Sequence, residues 1–201
     1  MKGLSLLLGL VALSPTAQAS IITYAASLSG ANENPPTASP GTGFASFTVD
    51  TVANTVLVNV SFSGLTSNDT AAHIHCCVAP GGNTGVATAL PALPGFPLGV
   101  TSGSYTNQLF SLLDPAFYNP SFVTANGGTT ASAEAVLLAG FAAGTTYFNI
   151  HTSVNPGGEI RGFLTATTAT PEPATLVLMS LALAGLVLER LVARRKAAAA
   201  S

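Results

Sequence analysis

Between Thr55 and Ser63 the chain places Val56, Val58, Val60 and Phe62 at every second position. A repeat of two puts those four side chains on one face of an extended strand and leaves Leu57, Asn59 and Ser61 on the other. A helix would need a repeat near 3.6 to bury a stripe, so this segment is read as a strand with one apolar face. Residues 43–49 alternate in the same way. Phe44, Ser46 and Thr48 point to one side, and Ala45, Phe47 and Val49 to the other. The turn at 50–54 joins the two segments as a hairpin. A two-stranded hairpin is marginal in water, so the apolar face calls for further strands or a covering helix.

The rest of the chain supplies them. Short apolar runs at 23–28, 71–77, 86–90, 99–105, 108–112, Thr146–Thr152 and 158–166 are punctuated by Gly, Pro and Asn. Pro35 and Pro36 make 31–36 a loop, because proline cannot donate to a ladder. Asp114 followed by Pro115 predicts a capped helical turn. One segment, Thr130–Ala143, reads as a helix, with Thr129 or Thr130 as its cap and Gly144 as its stop. No internal repeat is visible. Many short strands with one short helix predict an all-β fold, an antiparallel Greek-key-like β-sandwich or barrel.

Both ends of the chain differ from this middle. Lys2, the apolar run 4–13 and the Ala17-Gln18-Ala19 cleavage site read as a removable export signal over 1–19. At the other end, a polar linker leads to Pro171-Glu172-Pro173. An apolar run over 174–188 and a basic tail over 190–196 with Arg190, Arg194, Arg195 and Lys196 complete the segment 169–201. As a helix the apolar run spans roughly 22 Å, slightly short for a hydrocarbon core of about 30 Å, with the arginines on the cytoplasmic side. Pro-Glu-Pro, a short apolar helix and a basic end, in that order, resemble the PEP-CTERM sorting signal of Gram-negative bacteria. The resemblance implies recognition and cleavage near Pro171–Pro173 by an exosortase, with export to the outer surface or extracellular matrix. It also implies a transient inner-membrane stay through the C-terminal helix. An ordinary C-terminal anchor is the plainer alternative.

The mature segment between them, 20–168, has about 150 residues, enough for one domain with its own core. It carries six acids and a single base, Arg161. Nucleic acid and anionic membrane surfaces are excluded as electrostatic partners, since both are gripped by Lys and Arg. The absence of Trp and the 7% aromatic content speak against a large sugar-stacking platform. Cys76 and Cys77 are the only cysteines and are adjacent. They can form a vicinal disulfide, remain as buried thiols on a strand, or pair with a metal or another chain.

His73-Ile74-His75 lies on one predicted strand and Asn149-Ile150-His151 on another. If Ile74, Phe148 and Ile150 mark the core, alternation puts all three histidines on the opposite face. Were the strands neighbours, the rings would converge as an open three-imidazole site for Zn or Cu, the fourth position left to water. Histidines that merely hydrogen-bond nearby loops are the competing reading. Arg161 is read as a structural ion pair with Glu159 or Glu33 that pins the closing strand.

The stretch 149–152 followed by Asn155-Pro156-Gly157-Gly158-Glu159-Ile160-Arg161-Gly162 resembles the CHRD domain, a module named after chordin. Ala72-His73-Ile74-His75 matches its upstream element, and 23–36 its opening. The departure is Cys76-Cys77, where many members carry glycine. The resemblance implies an all-β module of secreted proteins with no established enzymatic activity. A faint likeness to copper-zinc superoxide dismutase lies in the paired strand histidines, but three are too few for that enzyme's copper and zinc ligands. The expectation is an exported non-enzymatic module that binds exopolysaccharide or surface proteins. The alternative is a Cu or Zn domain, possibly catalytic, built on His73, His75 and His151.

Overall fold

Three antiparallel strands in sequence order start the sheet: β1 (Ile21–Ser29), β2 (Thr42–Asp50) and β3 (Thr55–Ser63). A computed structural model of the protein describes residues 21–167 together with Gly185 and Arg190. The export signal 1–19 lies outside the described residues. So do Pro171–Pro173 and, apart from Gly185 and Arg190, the apolar run 174–188 and the basic tail 190–196. The chain divides into two units after Thr167. Among the described residues no helix is long and apolar enough to cross a membrane.

The β2–β3 hairpin has the predicted faces. Ala45, Phe47, Val49, Val56, Val58 and Val60 are at most 1% exposed, while Phe44 is 49% exposed on the other side. The remaining strands are β4 (Asp69–Cys76), β5 (Gly103–Ser111), β6 (Thr146–Thr152), β7 (Ile160–Phe163) and β8 (Thr165–Ala166). They complete one eight-stranded antiparallel sheet in the order β4-β6-β7-β1-β2-β3-β5, with β8 on β1. The sheet curls into a half-barrel. At one end its edges meet: Asp69 at the start of β4 donates its N–H to Val100, just ahead of β5, and Leu65 donates to Thr101. The all-β antiparallel expectation holds, realised as one curled sheet.

Two local readings need correction. The strands expected at 99–105 and 108–112 are one strand, β5, which begins only at Gly103, ends at Ser111 and carries a bulge opposite Asn59. Asn107 there adopts a left-handed φ of 56°, which asparagine tolerates, and its N–H is caught by the Asn59 side chain at 2.9 Å. The segment around 86–90 is not a regular strand. It lies along the free edge of β4, where the Ala87 N–H reaches Ile74 and the Cys76 N–H reaches Gly85. This covers an edge that would otherwise expose unpaired backbone groups.

Two helices lie beside the sheet. The shorter, α1 (Pro120–Ala125), leaves no periodic signal in the sequence because six residues are too few to show one; Asn119 caps it and Pro120 opens it. The longer, α2 (Thr130–Ala143), has the predicted bounds, with a Thr129–Ser132 capping box and Gly144 at its end. Ala133, Leu137 and Phe141 turn inward from it. The Phe141 ring stacks on Tyr24 at 5.0 Å and meets Phe47 at 6.0 Å, and Phe47 in turn meets Phe148 at 5.7 Å. Phe47 thus joins helix, meander and histidine-bearing strands. Phe47→Ala is expected to destabilise the protein by about 3–5 kcal/mol. Urea unfolding checks this, and a loss below about 1 kcal/mol would show that the core does not run through this ring.

Candidate metal centre

Strands β4, β6 and β7 are neighbours, and their register sets the site. His73 faces Asn149, which faces Arg161; His75 faces Tyr147, which faces Phe163; Ala71 faces His151. Ile74, Phe148, Ile150 and Ile160 are fully buried against the core. The alternating residues therefore project from the other side of the sheet. That side is not solvent. The loop after β1, residues 81–85 and residues 153–158 fold over it, leaving His73, His75 and His151 at 5%, 7% and 8% exposed. A small polar layer lies outside the apolar core.

The three rings come together there. Centroids are 4.8 Å apart for His73–His151, 5.4 Å for His73–His75 and 5.7 Å for His75–His151. One nitrogen from each lies within 4.8 Å of the others. His75 Nδ1 is 2.8 Å from the Thr84 carbonyl, and His151 Nδ1 is 3.0 Å from that of Pro156. A carbonyl only accepts, so each Nδ1 carries the proton and each Nε2 is left with its lone pair. Those two Nε2 atoms are buried without a partner, as is Nδ1 of His73. A buried imidazole nitrogen with no partner is costly, and metal-ligating histidines characteristically donate their other N–H to a carbonyl.

Burial lowers all three ring pKa values. His73 falls to about 3, through burial and then through the neighbouring rings of His151 and His75. His75 falls to about 4, with the Thr84 carbonyl pulling the other way. His151 falls by burial against the opposing pull of Pro156. The rings are neutral at physiological pH, the form in which imidazole binds metal. Three neutral nitrogen donors suit Zn or Cu and leave a coordination position over.

Arg161 does not pair with Glu159. Its guanidinium, 1% exposed, lies 3.7 Å from Glu33. It donates to the Asn32 carbonyl at 2.6 Å, to Asn83 Oδ1 at 2.7 Å and to the Gly82 carbonyl at 3.2 Å. It also covers the face of Tyr147 at 4.7 Å, and Tyr147 stacks on His75 at 4.6 Å. Burial lifts Glu33 to about 7 despite Arg161. Glu159 is held instead by Ser39, Thr66, Thr152 and Asn155. Burial pushes its pKa up, but these donors outweigh burial and hold it below the usual carboxylate value. Sequence spacing placed Glu159 near Arg161. It could not reveal a donor set drawn from three loops and the end of β6.

The turn at 155–158 closes the layer. Gly158 has a φ of 129°, and a Cβ there would run into the Asn149 amide and Glu33 Oε1. Only glycine lets this turn lie so close to the row of Asn149 and Arg161. Cys76 and Cys77, immediately after His75, are joined to each other at the end of β4.

A family model described as the CHRD domain matches residues 24–164, and one described as the PEP-CTERM protein-sorting motif matches residues 169–196. The protein is therefore an exported one, processed by an exosortase and directed to the cell surface. No curated protein and no solved structure matches the chain.

Proposed function

As the chain belongs to the CHRD family, we propose that it is a non-enzymatic component of the cell surface or exopolysaccharide matrix that holds one Zn or Cu ion on His73, His75 and His151. The observation that carries the metal reading is the set of three buried imidazoles with partnerless nitrogens, two of them backed by carbonyls on their far side. Histidines present only to tie down loops would have no reason to leave those nitrogens bare. The sorting motif and the scarcity of charge support the surface role, with exopolysaccharide or surface proteins as partners.

Elemental analysis tests the metal reading. The full chain, exported to a bacterial periplasm and purified without a histidine tag, is expected to carry or take up about one equivalent of Zn or Cu. His75→Ala is expected to lose it. Wild-type protein that takes up neither metal would leave the histidines structural.

A further inference from the structure

We propose that Cys76 and Cys77 form a thiol–disulfide exchange site open to small dithiols, a role that goes beyond the metal reading and stands without it. The two sulfurs are joined where β4 leaves the sheet. They differ sharply in surroundings. Cys76 belongs to the apolar core at 6% exposure, and Cys77 is exposed. A cleft of about 460 Å³ opens beside them, lined by both cysteines with Thr84, Asn119, Phe122 and Val136. That volume falls within the range that admits small organic ligands.

Helix α2 passes over the pair without closing the cleft. Gly140 lies against both sulfurs, and a Cβ there would come within 2.7 Å of Cys77 Sγ and 2.8 Å of Cys76 Sγ. The helix approaches so closely only because that position carries no side chain. A disulfide meant solely as a crosslink would be expected in the interior and would close a long loop. This one closes no loop beyond its own two residues, and exposed disulfides are the labile, regulatory or catalytic ones.

The asymmetry decides which sulfur reacts. A dithiol deprotonated at one sulfur attacks Sγ of Cys77, the exposed residue of the pair, from the cleft that it lines. The Cys76–Cys77 bond breaks, and its electron pair leaves on Cys76 Sγ, which takes up a proton. The second thiol of the reagent gives up its proton and attacks the mixed disulfide, releasing Cys77 as a thiolate that is protonated in turn. Two electrons and two protons pass to the protein, and the reagent departs as a cyclic disulfide.

The test uses the full exported chain under native conditions, with dithiothreitol as the probe and thiol counting and circular dichroism as readouts. The expected result is no free thiol before reduction and both cysteines free afterwards, with the fold retained. In Cys76→Ser the remaining Cys77 thiol is expected to react with iodoacetamide at least about tenfold faster than the Cys76 thiol in Cys77→Ser. Should a variant fail to fold, peptide mapping of wild-type protein exposed to glutathione decides the same point, with the adduct expected on Cys77. Free thiols before reduction, thiols that appear only on unfolding, or an adduct on Cys76 would overturn the proposal. Metal content plays no part in these readouts, so failure of the metal reading leaves them intact.

Discussion

Arg161→Ala is expected to destabilise the protein by about 3–5 kcal/mol at pH 8, and by distinctly less at pH 5. Arg161 is buried, with Glu33 as its carboxylate neighbour and three oxygens as hydrogen-bond partners. Glu33 ionises in the folded protein at about 7, against an ordinary value of 4.5, because burial disfavours its charge more than Arg161 favours it. A raised carboxyl pKa lowers stability as pH rises from about 4.5, and the loss is complete once the folded group is ionised. Without Arg161 the folded pKa climbs further, so this loss grows. At pH 8 the variant therefore holds an uncompensated buried carboxylate or pays to protonate it. At pH 5 Glu33 is protonated in both proteins, and the difference shrinks to the stranded Asn32, Gly82 and Asn83 acceptors. Urea unfolding at the two pH values tests this. A loss below about 1 kcal/mol at pH 8, or equal losses at both, would show that Glu33 and Arg161 are not coupled as described.

The split between what the sequence showed and what it hid follows from the range of the interactions. Alternation is local, so β3, β6 and the inward face of Phe47 could be read from single segments, and α2 from its cap and stop. The same alternation placed His73, His75 and His151 on one side of their strands. Their convergence needed one further fact, that β4 and β6 are neighbours, which no local pattern encodes. The carbonyls of Thr84 and Pro156 that fix the ring protons come from loops whose course is set by tertiary contacts. Glu33 shows the same limit. Sequence offered it beside Glu159 as a partner of Arg161, but spacing alone could not choose between the distant carboxylate and the near one; the fold sets Glu33 against the guanidinium. The bulge at Asn107 was hidden because a strand interrupted by one left-handed residue looks like two.

Saturating zinc is expected to raise the melting temperature of the wild-type chain by about 8–16 °C and that of His151→Ala hardly at all. A ligand that binds only the folded state stabilises it by about 4 kcal/mol at a concentration a thousandfold above its Kd. For a domain of this size each kcal/mol moves the midpoint by about 2–4 °C. The metal-free protein already bears the burden of His75 Nε2, His151 Nε2 and His73 Nδ1 buried without partners, and coordination relieves all three at once. His151→Ala removes one of those nitrogens together with the imidazole that donates to Pro156. Its metal-free stability is therefore expected to change by less than the zinc response that it forfeits. Calorimetric scans with and without zinc, repeated with copper, separate the cases. A wild-type midpoint unmoved by either metal would mean that the polar layer holds its histidines for packing alone. A His151→Ala midpoint that still climbs with zinc would place the binding elsewhere on the chain.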